Sequence, residues 1–181
     1  MSEVEVHPLS SDDVELIARI DRSEHIDVEY TVVDGSLAER PVSYAEVPPW
    51  DPVGTGPFSV AAHIAFCEPL VARGADLLGA FHGDEFMGLA VVDGRFEPDR
   101  AWLAFLHVSR PHRRRGAASA LWSAAVDIAL GAGARSMYVS ATPTGSAVGF
   151  YLSRGCTLAD PVHPDLYAME PDDIHLVCEL L

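Results

Sequence analysis

Val108-Ser109-Arg110-Pro111-His112-Arg113-Arg114-Arg115-Gly116-Ala117-Ala118-Ser119 joins an apolar run to a long alanine-rich one. Residues 101–108, Ala-Trp-Leu-Ala-Phe-Leu-His-Val, lack clean alternation, as does a strand covered on both faces. Downstream, the pattern predicts a helix over 116–130. Its polar positions Ser119, Ser123 and Asp127 are each four apart and make one narrow wet stripe on a rod of Ala, Leu, Trp, Val and Ile. Such a helix is mostly enclosed, its alanines allow close approach to a sheet, and Gly131 and Gly133 can stop it. A helix start presents unpaired N–H groups and the positive end of a dipole, and so attracts phosphate. Gly116, Ala117 and Ala118 let a pyrophosphate reach that backbone, and Arg113, Arg114 and Arg115 add charge-assisted hydrogen bonds. The segment reads as a cradle for a diphosphate ester, without the lysine and magnesium of phosphoryl transfer. A solvated basic loop is the plain alternative.

The rest of the composition sharpens that choice. The 181 residues (19.5 kDa) are 49% hydrophobic and 22% charged, which suits one domain with a sizeable core. Net charge is −15, from 27 acidic and 12 basic residues, and every basic residue is Arg. Without Lys there is no P-loop, no pyridoxal phosphate Schiff base and no kinase-type lysine. Four of the 12 arginines lie within 110–115, leaving 8 against 27 acidic residues elsewhere. That clustering favours an anion at the helix start, while the acidic remainder repels nucleic acid and acidic membranes. Cys67, Cys156 and Cys178 are odd in number and far apart, and read as reduced residues. Scattered histidines give no metal site. No apolar run reaches the ~18 residues of a membrane span, and Met1-Ser2-Glu3-Val4-Glu5 does not read as an export signal. The expected location is the cytoplasm.

Elsewhere, Ser10-Ser11-Asp12-Asp13 opens a helix carrying Val14, Ile17 and Ile20. Strands are expected at 28–34 and 41–47 with an Asp34-Gly35 turn. A loop follows at 47–57, holding four prolines and Trp50. A helix over 59–73 is expected to kink or end at Pro69. Residues 77–81 and 86–92 form a hairpin, 137–141 a strand, 145–154 a short helix and 174–181 a last strand. The result is one α/β domain over 1–181, a mixed, mostly antiparallel sheet with helices on both faces. Within it, 1–75 forms the acceptor side, 76–157 the binding core and 158–181 the C-terminal strands.

Two motifs carry a family resemblance. Arg113-x-x-Gly116-x-Ala118 matches the Arg/Gln-x-x-Gly-x-Gly/Ala signature of the GNAT acyl-CoA N-acyltransferases, which holds the pyrophosphate of coenzyme A. Thr144-Gly145-Ser146-Ala147-Val148-Gly149-Phe150-Tyr151-Leu152-Ser153-Arg154-Gly155-Cys156 resembles the family's second signature, Asn-x-x-Ala-x-x-Phe-Tyr-x-x-x-Gly-Phe. Thr144 stands for the usual Asn and Cys156 for the usual Phe. The strand ending Leu106-His107-Val108 looks like the family's splayed fourth strand, whose backbone pairs with the pantetheine arm. The resemblance covers roughly 76–157.

It implies acetyl-CoA as co-substrate, bound by Leu106, Val108, Arg113, Arg114, Arg115, Gly116, Ala117, Ala118, Ser119 and Thr144. It also implies Tyr151 as proton donor to the leaving thiolate, whose thiol has a reference pKa near 8.5. The expected reaction is direct attack by a primary amine in a ternary complex, since no cysteine sits in an activating motif. The N–H near Val108 could stabilise the oxyanion. His107, Glu24 and Glu46 are unassigned candidates for the base. Trp50 forms either a wall of the acceptor site or a pin holding its loop to the core. The acceptor is a small-molecule or peptide amine, with no nucleic acid or membrane partner, and a homodimer stays open. The rival from another class is a non-catalytic acyl-CoA-binding sensor.

Overall fold

The computed structural model describes residues 4–43 and 46–180. In chain order come β1 (Glu5–Pro8), a 3-10 helix (Ser11–Arg19), β2 (Glu24–His25), β3 (Val28–Val33), β4 (Ser36–Pro41) and β5 (Glu46–Val47). Then follow α1 (Val60–Ala72), β6 (Asp76–His82), β7 (Glu85–Glu97), β8 (Arg100–Val108) and α2 (Ala117–Gly131). The chain ends with β9 (Ser136–Ala141), α3 (Gly145–Leu152), β10 (Thr157–Leu158), α4 (Pro164–Met169) and β11 (Ile174–Glu179). Seven strands form one sheet in the order β1-β6-β7-β8-β9-β11-β10. All its neighbours run antiparallel except β8 and β9. The expected mixed, mostly antiparallel sheet is present.

Helices cover both faces. One face packs under α2 and α3, burying Met87, Leu103, Val139, Leu121 and Tyr151. The other lies under the 3-10 helix, α1 and α4, burying Ile17, Leu70, Leu89, Trp102 and Leu166. The alanines of α2 allow the close approach expected of them: Ala117, Ala125 and Ala129 are buried, and a Cβ on Gly94 of β7 would meet Ala132 at 3.1 Å.

Local chemistry sets the boundaries. The Ser10 N–H and hydroxyl both donate to the Asp13 carboxylate, at 2.8 and 2.7 Å, opening the 3-10 helix. Ser59 Oγ accepts from the Ala62 amide at 3.1 Å and caps α1. Pro69 neither ends nor visibly divides α1, which continues to Ala72. It falls near the C-terminus, where Cys67 and Leu70 are buried on the core and hold the last turn.

Two expectations need correction. The partner of the strand at 28–33 is Ser36–Pro41, not 41–47, because the two-residue turn at Asp34 (φ 50°) and Gly35 (φ 73°) fixes Val33 opposite Ser36. Of 41–47, Pro41 ends β4 and Glu46–Val47 is a strand paired with β2, while Tyr44 and Ala45 lie outside the described residues. Cys156 and Cys178 are not reduced but form a disulfide. Thr157 pairs with Val177, so the antiparallel register sets the two cysteines opposite each other, with α-carbons 4.1 Å apart, although 22 positions separate them in sequence. The cysteine count therefore does not argue for a reducing compartment. Cys67 remains free, and burial pushes its thiol up to about 12. Among the described residues no helix is long and apolar enough to cross a membrane.

Candidate active site

The site begins with a bulge. Across β7 and β8, Val91 faces Phe105 while Val92 faces Leu103, so Ala104 is an extra residue in β8. A bulge bends its strand and shifts its side-chain phase, which explains the missing alternation in 101–108. Leu103 is also the last residue of β8 paired with β9, opposite Val139. Beyond it the two parallel strands separate, while β9 stays paired with β11 to Ala141. The Ser109 amide donates to the Met87 carbonyl at 2.8 Å, making Gly88 and Val108 a non-hydrogen-bonded pair. The N–H and C=O of Val108, and by period two those of Leu106, consequently point away from β7 into the opening.

The loop after β8 is tied down from two sides. Ser109 Oγ accepts from the Asp21 amide at 2.7 Å, and the Arg110 amide donates to the Asp21 carbonyl at 2.8 Å. Arg113 turns inward: its Nε donates to the Val108 carbonyl and a terminal nitrogen to the Arg22 carbonyl, both at 3.1 Å, with Glu24 3.8 Å away. Arg115 lies 3.7 Å from Glu85 and 3.2 Å from His112 Nδ1. Arg114 (φ 59°) and Gly116 (φ 91°) take left-handed backbone, and among the described residues no side chain caps the first amides of α2. A Cβ on Gly116 would meet nothing within 4 Å, so there is open space beside this turn.

A cavity of about 340 Å³ adjoins the loop before α2, lined among others by Arg114, Thr144, Ser146, Glu24 and Asp27. It brings together Arg114 and Thr144, two residues expected to contact the cofactor. Its cover was not foreseen. The Tyr30 amide of β3 donates to the Pro143 carbonyl at 2.9 Å, and Glu29 forms an antiparallel backbone bridge with Thr144. A Cβ on Gly145 would meet Val28 at 3.2 Å. Thr144 Oγ1 accepts from the Ala147 amide at 3.3 Å, so the residue in place of Asn caps α3.

Tyr151 is buried, 7% exposed, with its ring edge-on to Trp122 at 5.8 Å and Phe150 at 5.2 Å. Burial, then the charges of Asp173 and Glu170, hold its phenol above the usual range and therefore protonated. Those two carboxylates are half-buried beside the first residue of β11, Ile174, which pairs with the last residue of β9, Ala141. Burial, reinforced by Glu170 and Asp172, pushes Asp173 up to about 7. Burial also raises Glu170, against a hydrogen bond from Ser140. The sequence reading missed both; their signal is the acidic run Glu170-Pro171-Asp172-Asp173 at the mouth of the last strand.

The earlier candidates for a base are otherwise engaged. His107 is pushed down to about 3 by burial, then by His63, Arg22 and Arg113. Its ring lies 4.9 Å from Trp50 and 4.6 Å from Phe105. It is a half-buried histidine, held neutral within an aromatic cluster. Glu46 accepts from Arg110 at 2.5 Å, which holds its carboxyl below the ordinary value. Glu24 faces Arg113. Trp50 is 3% exposed and also stacks on His63 at 4.3 Å, pinning the proline-rich loop to the core. Arg154, just past α3, donates to Ser119 Oγ in the first turn of α2.

Residues 41–156 match the model of the acetyltransferase (GNAT) family. Among solved structures, a nourseothricin acetyltransferase is 20% identical with a TM-score of 0.73, covering 98% of this chain and 99% of that one. A candidate streptothricin acetyltransferase from Bacillus anthracis, in complex with acetyl coenzyme A, is 13% identical with a TM-score of 0.71 and 98% coverage of both chains. The PaiA N-acetyltransferase from Thermoplasma acidophilum, in complex with coenzyme A, is 12% identical with a TM-score of 0.61 and covers 98% of this chain and 99% of that one. At these identities the likeness is one of fold. No curated protein matches the chain.

Proposed function

The chain belongs to the GNAT acetyltransferase family, and from that membership we propose that it moves an acetyl or short acyl group from acetyl-CoA to a primary amine by direct attack. One observation carries the reading: α2 begins at a left-handed glycine with uncapped amides, next to the edge of β8 left open where β9 departs. A diphosphate fits such a start, and an extended amide arm fits such an edge.

Acetyl-CoA supplies an acyl group already activated as a thioester. The amides of Ala117, Ala118 and Ser119 receive the diphosphate, with Arg114 on the adjoining cavity wall. Leu106 and Val108 offer backbone donors and acceptors to the arm, and the Val108 N–H is the donor for negative charge developing on the acyl oxygen. Arg113 steadies the Val108 carbonyl and thereby that amide. Tyr151 donates a hydrogen bond to the departing sulfur. With a phenol held above the usual range and a thiol reference near 8.5, it works by hydrogen bonding and keeps its own proton.

An ammonium must lose a proton before it attacks. Asp173 is suited to take it, because its carboxyl titrates near neutrality and its charge reaches Tyr151. As the C–N bond forms, the nitrogen's next proton passes to the thiolate. A surface of net charge −15 favours cationic acceptors, small molecules or peptides, over nucleic acid or anionic membranes.

The test is thiol release from acetyl-CoA across a panel of primary amines. Amine-dependent release supports the reading. Binding of acetyl-CoA without release by any amine would favour an acyl-CoA sensor.

A further inference from the structure

Arg154 reaches the start of α2 from the far end of α3. Its guanidinium donates to Ser119 Oγ and lies over the Phe150 ring, 4.8 Å from the centroid. The first turn of a helix repels cations, because the positive end of the dipole is there. Among the described residues no carboxylate forms an ion pair with Arg154, although acidic residues outnumber arginines 27 to 12. Two contacts thus hold the guanidinium between the positive end of α2, which opposes a cation, and the C-terminal end of α3, which favours one.

Its place relative to the cavity matters. Arg114 shares the cavity with Thr144, the N-cap of α3, whereas Arg154 follows the C-cap, Ser153. The eight residues of α3 put its two ends about 12 Å apart along its axis. The start of α2 is therefore flanked by two arginines near opposite ends of a second helix. A ligand with one phosphate cluster would use one of them. Coenzyme A carries two, the diphosphate and the ribose 3′-phosphate.

We propose that Arg154 receives the ribose 3′-phosphate of coenzyme A and makes the protein discriminate against the 3′-dephosphorylated cofactor. The inference rests on the coenzyme A reading above. Ser119 then has two tasks: its amide belongs to the diphosphate cradle, and its hydroxyl aims Arg154. A doubly charged monoester accepts a forked guanidinium better than a diester oxygen does.

Isothermal titration of the wild type, Arg154→Ala and Arg154→Lys with coenzyme A and with 3′-dephospho-coenzyme A tests this. The wild type is expected to bind coenzyme A about tenfold more tightly than the dephosphorylated form. Arg154→Ala should lose that preference through weaker coenzyme A binding, leaving the Kd for the dephosphorylated form within about twofold. Arg154→Lys should fall between. A wild type that binds both forms equally would overturn the proposal and leave the coenzyme A reading standing; this arm needs no variant to fold. Equal weakening of both ligands by Arg154→Ala, with a thermal melt matching wild type, would also overturn it. A wild type that binds neither ligand would overturn both.

Discussion

The Arg113 Nε donates to the Val108 carbonyl at 3.1 Å, and this bond joins the first residue of the phosphate signature to the last residue of the splayed strand. The guanidinium also holds the Arg22 carbonyl, so a single side chain ties the strand end, the loop before α2 and the N-terminal part together. In the proposed mechanism Arg113 acts through the backbone it orients.

Removing that tie should be felt in both stability and binding. Arg113→Ala leaves two carbonyls without their donor and is expected to cost about 1 to 3 kcal/mol, lowering Tm by several degrees. KM for acetyl-CoA should rise at the same time. Arg113→Lys should recover little, because an ammonium lacks the planar fork that spans both oxygens. Melting and steady-state kinetics on the two variants decide it; a lysine variant that behaves as wild type would assign Arg113 to simple charge.

Gly116 permits the left-handed turn from which α2 starts. Gly116→Ala meets no steric contact but must adopt φ near 91°, at a cost of about 1 to 2 kcal/mol. The loop is expected to relax and withdraw the first amides, weakening coenzyme A binding severalfold in a titration. Unchanged affinity would show that the cradle does not depend on this backbone shape.

Tyr151→Phe removes one oxygen and keeps the edge-on contacts with Trp122 and Phe150. Turnover should fall about 10²-fold, with the Kd for coenzyme A within about twofold. Unchanged thiol release by this variant would remove the phenol from the chemistry.

How far the sequence could be read depended on the range of each interaction. The strand at 101–108, the basic loop and the alanine-rich helix carry their information locally, so their order and most of their bounds were legible. The bulge at Ala104 was visible only as spoiled alternation, because its cause lies in the pairing with β7. The Cys156–Cys178 bridge, the stitching of β3 to Pro143 and the approach of Arg154 to Ser119 all depend on tertiary register, which spacing along one chain does not encode. Glu170 and Asp173 looked like any acidic surface run until β11 set them beside the opening.

Asp173 links stability and catalysis through pH. Its carboxyl is pushed up to about 7 from an ordinary 3.8, chiefly by burial, so the folded protein binds this proton more tightly than the unfolded chain does. Its contribution to stability is fully present below about pH 4 and is lost as pH rises to about 7 and above. Asp173→Asn mimics the protonated form and should melt several degrees higher than wild type at pH 8, with the gain vanishing near pH 4. Activity should move the opposite way. Wild-type kcat/KM is expected to rise with pH through about 7 as the carboxylate forms, and the variant should lose both that limb and most of its rate. Because the Glu170 charge helps to raise Asp173, Glu170→Gln should lower the apparent pKa of the limb without abolishing it. A wild-type limb that survives unchanged in Asp173→Asn would assign the proton acceptor to another group, whatever happens to Tm.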